Sequence, residues 1–198
     1  MVKLKASMLQ IELCEKEQAV KLVRLWHSRL PKTQLGPWQF AFKAHYDDTI
    51  FAVALWSNPS ARMLPNHWLE LRRMACSPVA PKYTASRMLG EMVKYLKRYF
   101  PEREKCISYQ DLNVHSGTIY KAGNWIPEYF SRPRCRDRSK PRKGTNRNYR
   151  SDMNTPVIAS SGKIRWAYLF NESVDHKKIK TQMAKIDRQI KKCTGVTL

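Results

Sequence analysis

Apolar and polar positions alternate over Leu9–Cys14, the period of a half-buried strand. The period then lengthens: Ala19, Leu22, Val23, Trp26 and Leu30 recur at helical spacing over Glu15–Leu30. Two aromatic and β-branched runs, Trp38–His45 and Thr49–Trp56, flank the turn-forming pair Asp47-Asp48 and predict a hairpin. Trp68–Cys76 reads as the next strand. After Pro78 and Pro81, the positions Met88, Leu89, Met92, Val93, Leu96 and Phe100 form one apolar helical stripe, which Pro101 stops. Lys105–Asp111 predicts a strand, Ser116–Gly123 a short helix with Ser116 as its N-cap and Gly123 closing it, and Trp125–Phe130 another strand. Strands alternating with crossover helices require a parallel pair, while the early hairpin is antiparallel. The expected fold is therefore α/β, a mixed and mostly antiparallel central sheet flanked by helices.

Residues 131–150 interrupt this pattern. Arg132, Arg134, Arg136, Arg138, Lys140, Arg142, Lys143, Arg147 and Arg150 stand against one Asp, with no helical or strand period. This is a basic loop. Ile164–Phe170 returns to strand, and Ser173–Lys192 places Val174, Ile179, Met183, Ile186 and Ile190 on one face of a basic helix expected at the periphery. The organisation follows: a catalytic domain over 1–170, with the basic loop at 131–154 inside it, and a basic helical extension over 171–198.

Charge narrows the function. The 198 residues carry 37 Lys+Arg against 16 Asp+Glu, a net +21 that solubility does not require and that points to a polyanionic partner, nucleic acid first. Residues 131–150 fit phosphate contacts along double-stranded DNA. Cys14, Cys76, Cys106, Cys135 and Cys193 form no C-x-x-C pair, so neither a zinc knuckle nor a disulfide framework is expected. No apolar run reaches the roughly 18 residues of a membrane helix, and the N-terminus lacks a signal pattern, so a cytoplasmic location with no membrane partner is expected. The oligomeric state is open, a homodimer included.

Local sequences add a resemblance. Leu69-Glu70-Leu71-Arg72-Arg73-Met74-Ala75 resembles the L-x-R-M-A strand of the Mom family of phage DNA-modification proteins, which have the GNAT acyltransferase fold. Tyr83-Thr84-Ala85-Ser86-Arg87 is similar to its S-x-S-R helix start. Ser108-Tyr109-Gln110-Asp111, with Gly117-Thr118-Ile119-Tyr120-Lys121-Ala122-Gly123-Asn124-Trp125, is similar to its F-A-D…G-T-I-Y-R-A-x-N-F block. Trp26-His27 resembles the family's W-H-Y, with Ser28 in place of the tyrosine. The resemblance implies a GNAT-like scaffold that converts adenine in DNA to an N6-carbamoylmethyl form and so protects phage DNA in the bacterial host from restriction. It also implies an acyl-CoA or related acyl donor, and iron.

Several side chains suit such chemistry. The helix after Pro81 presents free N–H groups to a pyrophosphate, with Lys82, Thr84, Ser86 and Arg87 as further donors, although this loop has none of the usual glycines. Thr84 or Ser86 as a plain N-cap is the competing reading. Alternation sends Arg72 and Arg73 to opposite faces, and the resemblance favours Arg73 for the cofactor cleft. His27, Asp111 and Tyr120 offer nitrogen, carboxylate and phenol ligands for non-haem iron. Without metal, Asp111 is a general base and Tyr120 a general acid to a leaving thiolate. Adenine N6 is paired inside a duplex, so reaction there requires a flipped base, with Trp38, Tyr109, Trp125 and Tyr129 as stacking candidates against core packing. Two further readings stand beside this one: a GNAT acetyltransferase acting on a protein or small amine, and a non-enzymatic nucleic-acid-binding module.

Overall fold

The computed structural model describes residues 4–27, 39–61, 63–133, 161–171 and 175–194. Of the residues named above, Ser28, Leu30, Trp38, Cys135, Ser173, Val174 and all the basic-loop cations after Arg132 lie outside the described residues.

A 3-10 turn at Ala6–Met8 leads into β1 (Gln10–Leu13), then α1 (Lys16–Trp26), β2 (Phe40–Tyr46), β3 (Thr49–Ser57) and β4 (Leu69–Cys76). There follow α2 (Thr84–Tyr99), β5 (Lys105–Asp111), α3 (Thr118–Ala122), β6 (Ile126–Ser131), β7 (Lys163–Leu169) and α4 (His176–Thr194). The strands form one sheet in the order β1-β2-β3-β4-β5-β7-β6. Neighbours are antiparallel except β4 and β5, so the sheet is mixed and mostly antiparallel, as the pattern predicted.

Helices cover both faces. On one, Ala19, Val20 and Val23 of α1 pack on Ala41, Val53, Leu55 and Ala75 of β2–β4. On the other lies the larger core, where the α2 stripe Met88, Leu89, Met92, Val93 and Leu96 is buried with Trp56, Phe42, Leu71 and Trp166. Burying each such side chain contributes about 1.5–3 kcal/mol. The Trp56 indole N–H donates to Met92 Sδ at 3.2 Å, so its polar edge is not stranded in the core.

Several local expectations change. The described part of α1 ends at Trp26, with His27 as its C-cap. The N-cap of α3 is Gly117 in the left-handed region (φ 75), not Ser116, whose hydroxyl instead lies 2.7 Å from that of Thr118. Glycine is required there twice over, because a Cβ would also sit 2.5 Å from Gln110 Oε1. At the other end of α3, Gly123 has φ -94 and Asn124 takes the left-handed position (φ 58). Helix α4 is not peripheral. Ile186 and Ile190 join the main core, and the Gln182 side-chain amide donates to the Glu128 carbonyl of β6 at 3.1 Å. The apolar face read from sequence is the face that docks.

Candidate active site

The parallel pair is the topological switch of the sheet. β4 and β5 are paired only over Leu69↔Cys106, Glu70↔Ile107 and Leu71↔Ser108, although both strands continue. Beyond Leu71 and Ser108 they separate, and the opening lies at their carboxyl ends, where open α/β sheets take ligands.

Tyr120 reaches this opening from α3. Its hydroxyl lies 2.9 Å from Ser108 Oγ, which is 3.4 Å from the Leu71 carbonyl. The ring is buried, stacked on Trp166 at 5.4 Å and edge-on to Trp125 at 5.6 Å. Burial raises the phenol pKa above its ordinary value, and the Ser108 contact only partly offsets it. The group is held as a protonated hydroxyl, a weaker acid than a free phenol, and only a leaving group more basic than usual or one held at hydrogen-bond distance would take its proton. Ser108 was missed in the sequence because a serine inside a strand carries no signal until its partner is known.

Arg73 enters from β4 by a register shift. Pairing slips between Leu55 and Trp56, with Leu55 opposite Arg73 and Trp56 opposite Leu71. Simple alternation is broken, so Arg73 follows Ala75 to the α1 face while Leu71 stays in the main core. Arg72 is on that side as well, with its Nε 3.3 Å from the Glu70 carboxylate. The expectation that the two arginines occupy opposite faces is thus corrected. Arg73 Nη1 donates to the Arg72 carbonyl at 2.6 Å, and its Nε is buried without a hydrogen-bond partner.

His27, at the end of α1, lies in the electrostatic reach of Arg73 and of His115. Burial first, then Arg73, then His115, lower its pKa to about 4, so the imidazole is neutral at pH 7. His115 follows Asp111 by four residues. It sits on the turn after β5, which Gln110 fixes: its amide donates to the His115 carbonyl at 2.6 Å and its oxygen accepts from the Trp166 indole at 2.8 Å.

Asp111 ends β5. Its carboxylate accepts the Asn113 N–H at 3.0 Å and its carbonyl the His115 N–H at 2.9 Å. Cys106, Ser108 and Gln110 face the main core, so Tyr109 and Asp111 face the α1 side. The three residues expected to share iron come to the sheet from two faces. His27 and Asp111 belong to the α1 side of the sheet, whereas the Tyr120 hydroxyl is engaged by Ser108 from the other. Among the described residues no group of three or more His, Cys, Asp and Glu is placed to hold a metal ion.

An open cleft of about 720 Å³ lies beside the start of α2, lined by Lys5, Lys82, Tyr83, Ser86, Arg87 and Gly90 among others. Three cations and the Glu91 carboxylate line it, Glu91 lying 3.9 Å from Arg87 Nη1, and a Cβ on Gly90 would meet nothing within 4 Å. Arg87 donates from Nη2 to the Leu9 carbonyl at 3.3 Å, leaving a buried Nε without a hydrogen-bond partner. These features fit the phosphates of a nucleotide-like group. Thr84 and Ser86 are neither N-caps: their hydroxyls donate back to the Pro81 and Tyr83 carbonyls at 2.7 and 3.0 Å. The N-cap is Tyr83, left-handed at φ 72 where a glycine would be relaxed. Thr84 is buried and, like Arg73, does not line this cleft.

Trp125 is buried in the core and is thereby removed from the stacking candidates, while Tyr109 is half-buried and Tyr129 is exposed. Among the described residues no helix is long and apolar enough to cross a membrane.

The Mom protein family model matches residues 8–190. The structure is similar to a Bacillus subtilis acetyltransferase in complex with CoA, with a TM-score of 0.55 and 14% identity, covering 81% of this chain and 98% of that one. It is similar also to an N-acetyltransferase from Staphylococcus aureus, with a TM-score of 0.55 and 11% identity, covering 83% and 99%. Likeness at this identity establishes the fold, which is that of the GNAT acetyltransferases. No curated protein matches the chain.

Proposed function

The chain belongs to the Mom protein family, and from that premise we propose that it modifies adenine N6 in double-stranded DNA to the carbamoylmethyl form, protecting phage DNA from restriction in the host cytoplasm. One observation of the fold carries the choice of DNA. Asp111 is opposite Lys163, and Lys163 is opposite Ser131. Both roots of the basic segment thus leave the sheet on the row of strand positions that holds Asp111. The cations of residues 131–150, Arg132 at their head, would grip phosphate backbone.

Each residue then has a chemical part. Lys82, Ser86 and Arg87, with Lys5, would hold the phosphates of an acyl-CoA-related donor. Because N6 ends bonded to an sp3 carbon, the donor would supply a carbamoylmethyl group, and the bond broken would be the one from its methylene carbon to the leaving group, not a thioester bond at a carbonyl. Asp111 takes the proton released from the acceptor nitrogen. The Tyr120 hydroxyl, kept protonated by burial and positioned by Ser108, gives a proton to the leaving group at the opening between β4 and β5. His27 stands by as a neutral base next to Arg73, whose charge steadies the anion that develops.

The test is nucleoside mass spectrometry of a plasmid carried beside the expressed gene. The expected result is an adenosine heavier by one carbamoylmethyl group, reduced at least about a hundredfold by Asp111→Asn or Tyr120→Phe. Unmodified adenosine in the presence of folded protein would refute the proposal. Acetyl transfer to an amine without DNA would establish the protein or small-amine acetyltransferase instead.

A further inference from the structure

One row of the sheet is occupied by two tyrosines and an arginine. Tyr109 of β5 is opposite Arg165 of β7, and Arg165 is opposite Tyr129 of β6. Ile164 and Trp166 are buried in the main core, as is Phe130, so all three members of the row point to the α1 face. Helix α1 is seated over β2–β4. Among the described residues, the half of this face built by β5, β7 and β6 is covered instead by its own long side chains.

Those side chains are held in place. Glu128 accepts from Arg165 Nε at 3.0 Å and also pairs with Lys105, whose ammonium lies 3.6 Å from the Trp68 ring centroid. Arg165 is 5.6 Å from the Tyr129 centroid and 6.0 Å from that of Trp68, and its charge reaches the Tyr109 phenol. With Arg165 fixed from three sides, Tyr129 is nevertheless 49% exposed. An exposed ring backed by an ordered guanidinium, on the flat face of an antiparallel sheet, is the arrangement on which unpaired bases stack.

The row also has the right neighbour. Two residues along each strand, about 7 Å away, are Asp111, Lys163 and Ser131, where the candidate carboxylate and both ends of the basic segment lie. Glu128 offsets one of the two positive charges of Arg165 and Lys105, so the row offers π surface together with one net positive charge. We propose that Tyr129, supported by Arg165 and Tyr109, is a stacking seat for an unpaired nucleobase of a DNA strand drawn toward Asp111. This rests on the DNA-modifying reading and adds to it the surface that receives a base out of the duplex.

The probe is a single-stranded oligonucleotide carrying one 2-aminopurine, whose fluorescence falls when the base stacks on a ring. Wild-type protein should quench it, and Tyr129→Ala should weaken binding about tenfold. Tyr129→Phe should bind within about twofold of wild type, since the ring and not the hydroxyl makes the stack. Affinity for CoA and the thermal unfolding midpoint should be unchanged in both variants, because Tyr129 lines neither the α2 cleft nor the core. Equal binding by wild type and Tyr129→Ala would overturn this inference and leave DNA modification standing. Failure of the wild-type chain to bind either single-stranded or duplex DNA would overturn both.

Discussion

Two side chains show how surroundings, not identity, set what a residue can do. His27 would titrate near neutrality in water, but burial and the charges of Arg73 and His115 bring its folded pKa to about 4. Because the folded value lies below the unfolded one, stability is full above about pH 6.5 and is lost as pH falls toward 4. His27→Asn should flatten that part of the profile of unfolding midpoint against pH, leaving the carboxylate-dependent loss at lower pH in place. A wild-type midpoint constant from pH 6.5 to 4 would contradict the assignment. Tyr120 shows the opposite case: its position in Gly117–Trp125 was legible in the sequence, yet its direction was not. Only the Ser108 contact shows that its hydroxyl enters the opening from the core face, apart from the side that Asp111 faces.

Among the elements, α4 shows what a one-sided pattern leaves open. The spacing of Ile179, Met183, Ile186 and Ile190 was plain in the sequence, but a one-sided helix does not say what covers it. The structure supplies the answer, since Ile186 and Ile190 are buried against the same cluster that holds Phe130 and Trp166. Ile186→Ala should therefore cost about 3 kcal/mol in urea unfolding, whereas a helix merely lying at the periphery would lose almost nothing. The strand β6, whose Glu128 both accepts from Gln182 and anchors Arg165, links this docked helix to the stacking row. Destabilising α4 should thus also loosen that row.

At the scale of the whole molecule, the net charge of +21 is a statement about partners and the sheet a statement about where they meet. If residues 131–150 contact phosphates, the slope of log affinity for duplex DNA against log salt should shrink by about one unit for each cation removed. Replacing Arg142, Lys143 and Arg147 with serine should reduce it by about three, measured by titration at several salt concentrations, and an unchanged slope would place the contacts elsewhere. The alternation in β1–β3, the α2 stripe ended by Pro101, and the strand Lys105–Asp111 were determined by the sequence alone, because burial on one face imposes a period on neighbouring residues. The tertiary structure alone decided the rest. The register shift that turns Arg73 beside His27, the left-handed Tyr83, the separation of β4 from β5 after Ser108, and the Tyr109–Arg165–Tyr129 row all depend on contacts between residues far apart in the chain. A local period cannot encode such contacts, since it reports which side of an element is apolar and not which element stands opposite.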